Sequence, residues 1–190
     1  GGEYNVAIGN YALDALTSGD LNTAVGYGAG TALTTGAAQI FIGANAGAAV
    51  TTGGGNIAIG YNALDNADTE SNNLAIGEDA LGGAVNGGEY NVAIGKSSLD
   101  ALTSGDNNTA IGYNAATALT TGSENTIMGE SSGTSLTIGD HNVLIGNHAG
   151  DSIVVERRNV AVGNNALNAH RTTASTVNDT GNTAVGFYAG

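Results

Sequence analysis

Three histidines, His141, His148 and His170, are the side chains of this chain best suited to act as neutral-pH bases or nitrogen ligands for a metal. His141 and His148 flank a short aliphatic stretch around Ile145, and no carboxylate recurs around them at a fixed ligand spacing, so they are expected to be exposed turn residues. Asp20, Asp106 and Asp140 recur at equivalent places with asparagines nearby, which raises calcium, a hard cation that needs several convergent oxygens. Ala37, Gly54 and Ser71 interrupt that series, and the Gly-Gly-x-Gly-x-Asp calcium nonapeptide is absent, so a solvated acidic edge is expected. With no cysteine there are no thiolate sites and no disulfides. No catalytic, cofactor-binding or metal-binding set emerges, and the expectation is a protein that is not an enzyme.

Two further residue sets could make contacts rather than reactions. Tyr11, Tyr27, Tyr61, Tyr113 and Tyr188 follow short Ile-Gly-like strings; they could stack on sugars, but packing across neighbouring turns is the expected role. Thr17, Thr34, Thr51, Thr103, Thr120 and Thr137 form a row that invites comparison with ice-binding arrays. Such arrays need two outward threonines separated by one inward residue, whereas here each threonine adjoins Ser, Thr or another residue that breaks the pattern, and Asp68 and Val85 interrupt the row.

The elements carrying these residues are set by a repeat. The string Asn-x-Ala-Ile-Gly, with variants, begins at Asn5, Asn22, Gln39, Asn56, Asn73, Asn91, Asn108, Asn125, Asn142, Asn159 and Asn182. The intervals are 17, 17, 17, 17, 18, 17, 17, 17, 17 and 23, so one repeat domain covers residues 1–190, with a loop insertion at about 170–181. Gly1 to Gly9 recurs as Gly87 to Gly95, which indicates duplication of a five-repeat block. The fourth position runs Ile8, Val25, Ile42, Ile59, Ile76, Ile94, Ile111, Met128, Ile145, Val162 and Val185; the third is mostly Ala, with Phe41, Ile127 and Leu144 as exceptions. Successive apolar residues predict a short strand with both faces covered, one by the coil and one by a partner. Leu16, Leu33, Val50, Leu102, Leu119, Leu136 and Ile153 predict a second short strand in each repeat. A glycine after the first strand suits a turn, and the Asn series predicts a ladder of stacked amides along the axis.

Composition agrees with a thin, regular interior. The chain has 32 Gly, two Phe and neither Pro nor Trp, so few large side chains are available to fill a wide core. Four basic residues, Lys96, Arg157, Arg158 and Arg171, stand against seventeen acidic ones, giving a net charge of −13. That balance excludes a basic stripe of the kind nucleic acid requires and favours solubility. No apolar run reaches the ~20 residues of a bilayer-spanning helix, so no membrane insertion is expected in these residues.

Strings such as Asn5-Val6-Ala7-Ile8-Gly9, Asn22-Thr23-Ala24-Val25-Gly26 and Asn108-Thr109-Ala110-Ile111-Gly112 resemble the head repeats of YadA-like trimeric autotransporter adhesins and the related repeats of phage tail-fibre proteins. The resemblance covers nearly the whole chain. It implies an all-β, left-handed parallel β-roll or β-solenoid of about eleven 17-residue coils, assembled as a homotrimer. It further implies an extracellular setting on a virion tail fibre or a bacterial surface, with a host-surface receptor or glycan as partner. The repeat is longer than the adhesin's usual one, and the string has one residue fewer between Asn and Ala. The segment Ile8-Gly9-Asn10-Tyr11-Ala12 also resembles one hexad of the hexapeptide acyltransferases, but these need three per coil, and the next places at spacing six are Asp14 and Asp20. The functional expectation is a structural segment of a phage tail or virion fibre involved in host attachment, with an adhesin head as the alternative.

Overall fold

A computed structural model describes residues 1–168 and 181–190. Its regular structure is one parallel sheet of eleven three-residue strands: β1 (Val6–Ile8), β2 (Thr23–Val25), β3 (Ile40–Ile42), β4 (Ile57–Ile59), β5 (Leu74–Ile76), β6 (Val92–Ile94), β7 (Thr109–Ile111), β8 (Thr126–Met128), β9 (Val143–Ile145), β10 (Val160–Val162) and β11 (Thr183–Val185). The strands pair in sequence order, each with the next. This is a β-solenoid, with no helix among the described residues. At about 4.8 Å per strand, the stack is on the order of 50 Å long.

Each strand is short because both of its ends are fixed. At the start, the Asn Oδ1 accepts the backbone N–H of the Asn one repeat on: Asn22 N to Asn5 Oδ1 is 2.8 Å, and Asn108 N to Asn91 Oδ1 is 2.9 Å. The Asn Nδ2 donates across the coil to the carbonyl 14 residues later, as from Asn108 to Gly122 at 2.9 Å. From Asn91 to Asn182 the amides also bond directly to one another at 3.0–3.3 Å, the predicted ladder. Gln39 substitutes in the series, its Oε1 accepting from Asn56 N at 2.9 Å and its Nε2 donating to Gly53 O. At the other end, Gly112 has φ of +142°, a conformation that L side chains rarely adopt, and a Cβ there would overlap the carbonyl of Gly129.

The predicted second strand is not formed. The chain carrying Leu33, Val50, Leu102, Leu119, Leu136 and Ile153 runs through turns, although these side chains are buried. The cause is a left-handed corner three residues ahead of them, at Gly30, Gly47, Leu99, Ala116, Gly133 and Gly150; in other repeats the same corner is Leu13, Leu64, Leu81 or Leu167, with φ of 51–52°, a conformation ordinarily unfavourable for leucine. Backbone bonds between repeats hold them there, as in Leu13 N to Ala29 O at 3.1 Å and Leu64 N to Ala80 O at 3.0 Å. Beyond the corner the Thr row contributes one further rung, with Thr103 N to Thr120 O at 2.8 Å.

The core is thin, and no described repeat places a large side chain at both the strand and the corner. In β2 to β10 the middle residue points inward: Ala24, Phe41, Ala58, Ala75, Ala93, Ala110, Ile127, Leu144 and Ala161 are fully buried. Where the middle residue is Ala58, Ala75 or Ala93, the corner six residues on is Leu64, Leu81 or Leu99; where it is Phe41, Ile127 or Leu144, the corner is Gly47, Gly133 or Gly150. A Cβ on Gly47 would lie 2.5 Å from the Phe41 ring, and one on Gly150 2.6 Å from Leu144 Cδ2. A large strand residue and a large corner residue therefore exclude each other, as close packing requires.

This exclusion predicts a compensating pair. Ala58→Leu should overfill the coil beside Leu64 and lower stability by about 1–3 kcal/mol in chemical denaturation. Adding Leu64→Gly should recover a substantial part of that loss by recreating the Phe41–Gly47 arrangement. Strict additivity of the two changes would show that the core does not trade volume in this way.

Candidate interaction surface

A three-residue strand with its middle side chain inward must turn its first and third side chains outward. The expected aliphatic series from Ile8 to Val185 accordingly lies on the outer face, in unbroken register: Ile94 pairs with Ile111 and Ile111 with Met128. Even in the interior of the stack, Ile42 is 39% and Met128 36% exposed. Beside it runs a second outward series formed by the first strand residues, including Ile40, Ile57, Leu74, Val92, Val143 and Val160, with threonine at Thr23, Thr109, Thr126 and Thr183. Sequence reasoning did not single out this second series. Its signal was there, since positions two apart on a strand share a face.

The register survives both irregular intervals. Leu74 pairs with Val92 across the interval of 18, and Val162 with Val185 across the interval of 23. The expected loop at about 170–181, with His170 and Arg171, lies almost wholly outside the described residues, and only Gly181 is described.

Tyrosines border this face. Tyr27, Tyr61 and Tyr113 immediately follow the strand-ending glycines and stay more than half exposed. Packing across turns is seen for one pair, Tyr11 and Tyr27, edge to face with centroids 5.7 Å apart.

The polar candidates are engaged in holding repeats together. Asp20, Asp106 and Asp140 each accept the backbone N–H 17 residues earlier, from Glu3 at 2.7 Å, Glu89 at 2.8 Å and Ser123 at 2.9 Å. Ser71 and Ser123 do the same for Gly54 and Asp106. The hydroxyls of Thr17, Thr34, Thr103, Thr120 and Thr137 donate to carbonyls one repeat on at 2.9–3.0 Å, so their protons are used to tie repeats together. His141 Nδ1 lies 3.1 Å from Glu124 Oε2, and His148 Nδ1 3.6 Å from Asp151 Oδ2, so each has a carboxylate neighbour that the spacing did not reveal. Lys96 pairs with Glu78 and Arg157 with Asp140, both at 2.9 Å. Among the described residues no three His, Cys, Asp or Glu side chains converge as for a metal, and no helix is long and apolar enough to cross a membrane.

No family model, curated protein or solved structure matches this chain.

One electrostatic feature lies at the corner of the fourth to sixth repeats, where the charges of Asp65, Asp79 and Asp100 act on one another. Burial, and then the charge of Asp79, pushes the Asp100 carboxyl above its ordinary range; Asp65 is raised chiefly by burial, with Asp79 and Asp100 adding to it. A raised folded-state value means that ionisation weakens the fold. The penalty is absent below the ordinary carboxylate value, grows as pH rises through the raised values, and is fully present at neutrality. Asp100→Asn should therefore raise the melting temperature at pH 7 and lose that advantage at acidic pH, as read by thermal melts across the range.

Proposed function

We propose that this chain is a structural segment of an extracellular fibre, with a phage tail or virion fibre involved in host attachment as the leading setting. In this reading the segment associates as a homotrimer through the outer face of its sheet and supports contact with a host-surface receptor or glycan. The observation that carries the reading is the pair of outward series running the length of a narrow, regular stack.

The physical argument starts from area. A face about 50 Å long and roughly 10 Å wide offers on the order of 500 Å², at the upper end of what single soluble chains leave open to water. It is smaller than the ~800 Å² per partner of a standard interface, so a two-chain contact confined to it would be weak. Around a threefold axis parallel to the stack, one series faces each neighbour, and the bordering Tyr27, Tyr61 and Tyr113 extend the contact. The acidic surface elsewhere opposes side-by-side aggregation. The hydrogen bonds made by Asp20, Asp106, Asp140 and the Thr row leave these residues a structural part consistent with a spacer.

Two adjacent substitutions test this. Ile111→Asp should leave the single-chain fold intact but split the assembly, because it places a charge in the outward series; sedimentation or mass photometry reads the change. Ala110→Asp buries the charge inside the coil and should abolish folding itself, at a cost of several kcal/mol. If Ile111→Asp leaves both the mass and the melting temperature unchanged, the outer face is not an interface.

A further inference from the structure

A second glycine series follows the Thr row: Gly19, Gly36, Gly53, Gly105, Gly122 and Gly139. These residues do not need a left-handed backbone; their constraint is steric. A Cβ on Gly105 would overlap the carbonyl oxygen of Gly122, and one on Gly139 that of Glu156. Yet this series contains two large residues, Glu70 and Glu156, 86 positions apart and both buried. Each stands one repeat before an irregular interval, the 18 from Asn73 to Asn91 and the 23 from Asn159 to Asn182.

The hydrogen bonds explain the coincidence. In regular repeats two successive N–H groups share one carbonyl of the next repeat: Thr17 and Ser18 bond to Thr34 O at 2.9 and 3.2 Å, and Thr103 and Ser104 to Thr120 O at 2.8 and 3.2 Å. At the first irregular interval the following repeat is one residue longer between its corner, Leu81, and the inward Val85, and the equivalent pair turns to a different acceptor. Asp68 N and Thr69 N both bond to Glu70 Oε2, at 2.7 and 3.0 Å, while Oε1 takes Gly87 N at 2.8 Å. The Oε2 half of the arrangement recurs at Glu156, which accepts from Val154 N at 2.7 Å and Val155 N at 2.9 Å, while its Oε1 is buried without a partner among the described residues.

We infer that a glutamate in this glycine series is a register device: its carboxylate takes the place of the carbonyl that a lengthened repeat withdraws. It caps the two N–H groups that would otherwise lose their acceptor in the neighbouring repeat, and its side chain occupies the room that the displaced repeat vacates. At the 18-residue interval the extra residue is thereby confined to the corner between Leu81 and Val85, and the outer face continues in register across both intervals, as the Leu74–Val92 and Val162–Val185 pairs do. Glu70 and Glu156 mark the two places at which this rod accepts inserted sequence. This assignment does not depend on what the fibre binds.

The test moves the device to a regular repeat. Gly105→Glu alone should lower the melting temperature, because the next repeat leaves no room for its Cβ. One glycine inserted between Thr117 and Ala118, the corner one repeat on, should also lower it, because the Thr103 and Ser104 N–H groups lose their acceptor. Combined, the two changes should melt above either alone, and a combined variant at or below the less stable single variant would overturn the assignment. The converse pair covers the case in which those variants do not fold. Glu70→Gly should lower the melting temperature, and further deletion of Gly83, which restores uniform 17-residue spacing, should raise it again. A Glu70→Gly protein that melts like the parent would equally overturn the inference.

Discussion

The buried amide of the Asn series is the interaction on which the rest of this structure depends. A parallel solenoid with three-residue strands has only a short ladder in each repeat, and the polar groups at the start of each strand lie inside the coil, away from water. The Asn side chain resolves both difficulties at once. Its Oδ1 accepts the N–H of the next Asn, and its Nδ2 reaches the carbonyl on the far side of the coil, so one residue ties two repeats together and closes its own. An aliphatic residue at that place would orphan a donor and an acceptor, each at about 1–3 kcal/mol.

Given that spine, packing follows with little freedom. The coil has room for about one large side chain at the strand or at the corner, which is why Phe41 meets Gly47 and Ala58 meets Leu64. Each repeat touches its neighbours and nothing more distant, so stability accumulates along the stack rather than around a common centre. The glutamates at Glu70 and Glu156 extend the same logic, since side-chain oxygens again complete what the backbone alone leaves open.

Much of this is legible in the sequence because the repeat is strict and each series has one physical reason. The Asn ladder, the strand bounded by Asn and Gly, and the in-register aliphatic series all follow from residue type and spacing. The second strand was misread because buried leucines at regular intervals suggest extended chain. The contrary signal lay one turn earlier, where Gly30, Gly47, Gly133 and Gly150 alternate with Leu13, Leu64 and Leu99 in one series and betray a left-handed corner. The carboxylates beside His141 and His148 were hidden because they depend on neighbours one repeat away or on the shape of a turn. The two outward series were half seen, since only the aliphatic one is uniform enough to stand out.

If the amide spine is the determining constraint, two adjacent asparagines should behave in opposite ways. Asn108 is buried in the spine, and Asn107 is exposed in a left-handed turn beside it. The most direct measurement is thermal denaturation of Asn108→Ala against Asn107→Ala. Loss of the Asn108 bonds to Gly122 and to Asn91, and of the acceptor for Asn125, should remove several kcal/mol and leave at best a broad, weakened transition, whereas Asn107→Ala should melt within a few degrees of the parent. Equal melting temperatures for the two variants would contradict the account.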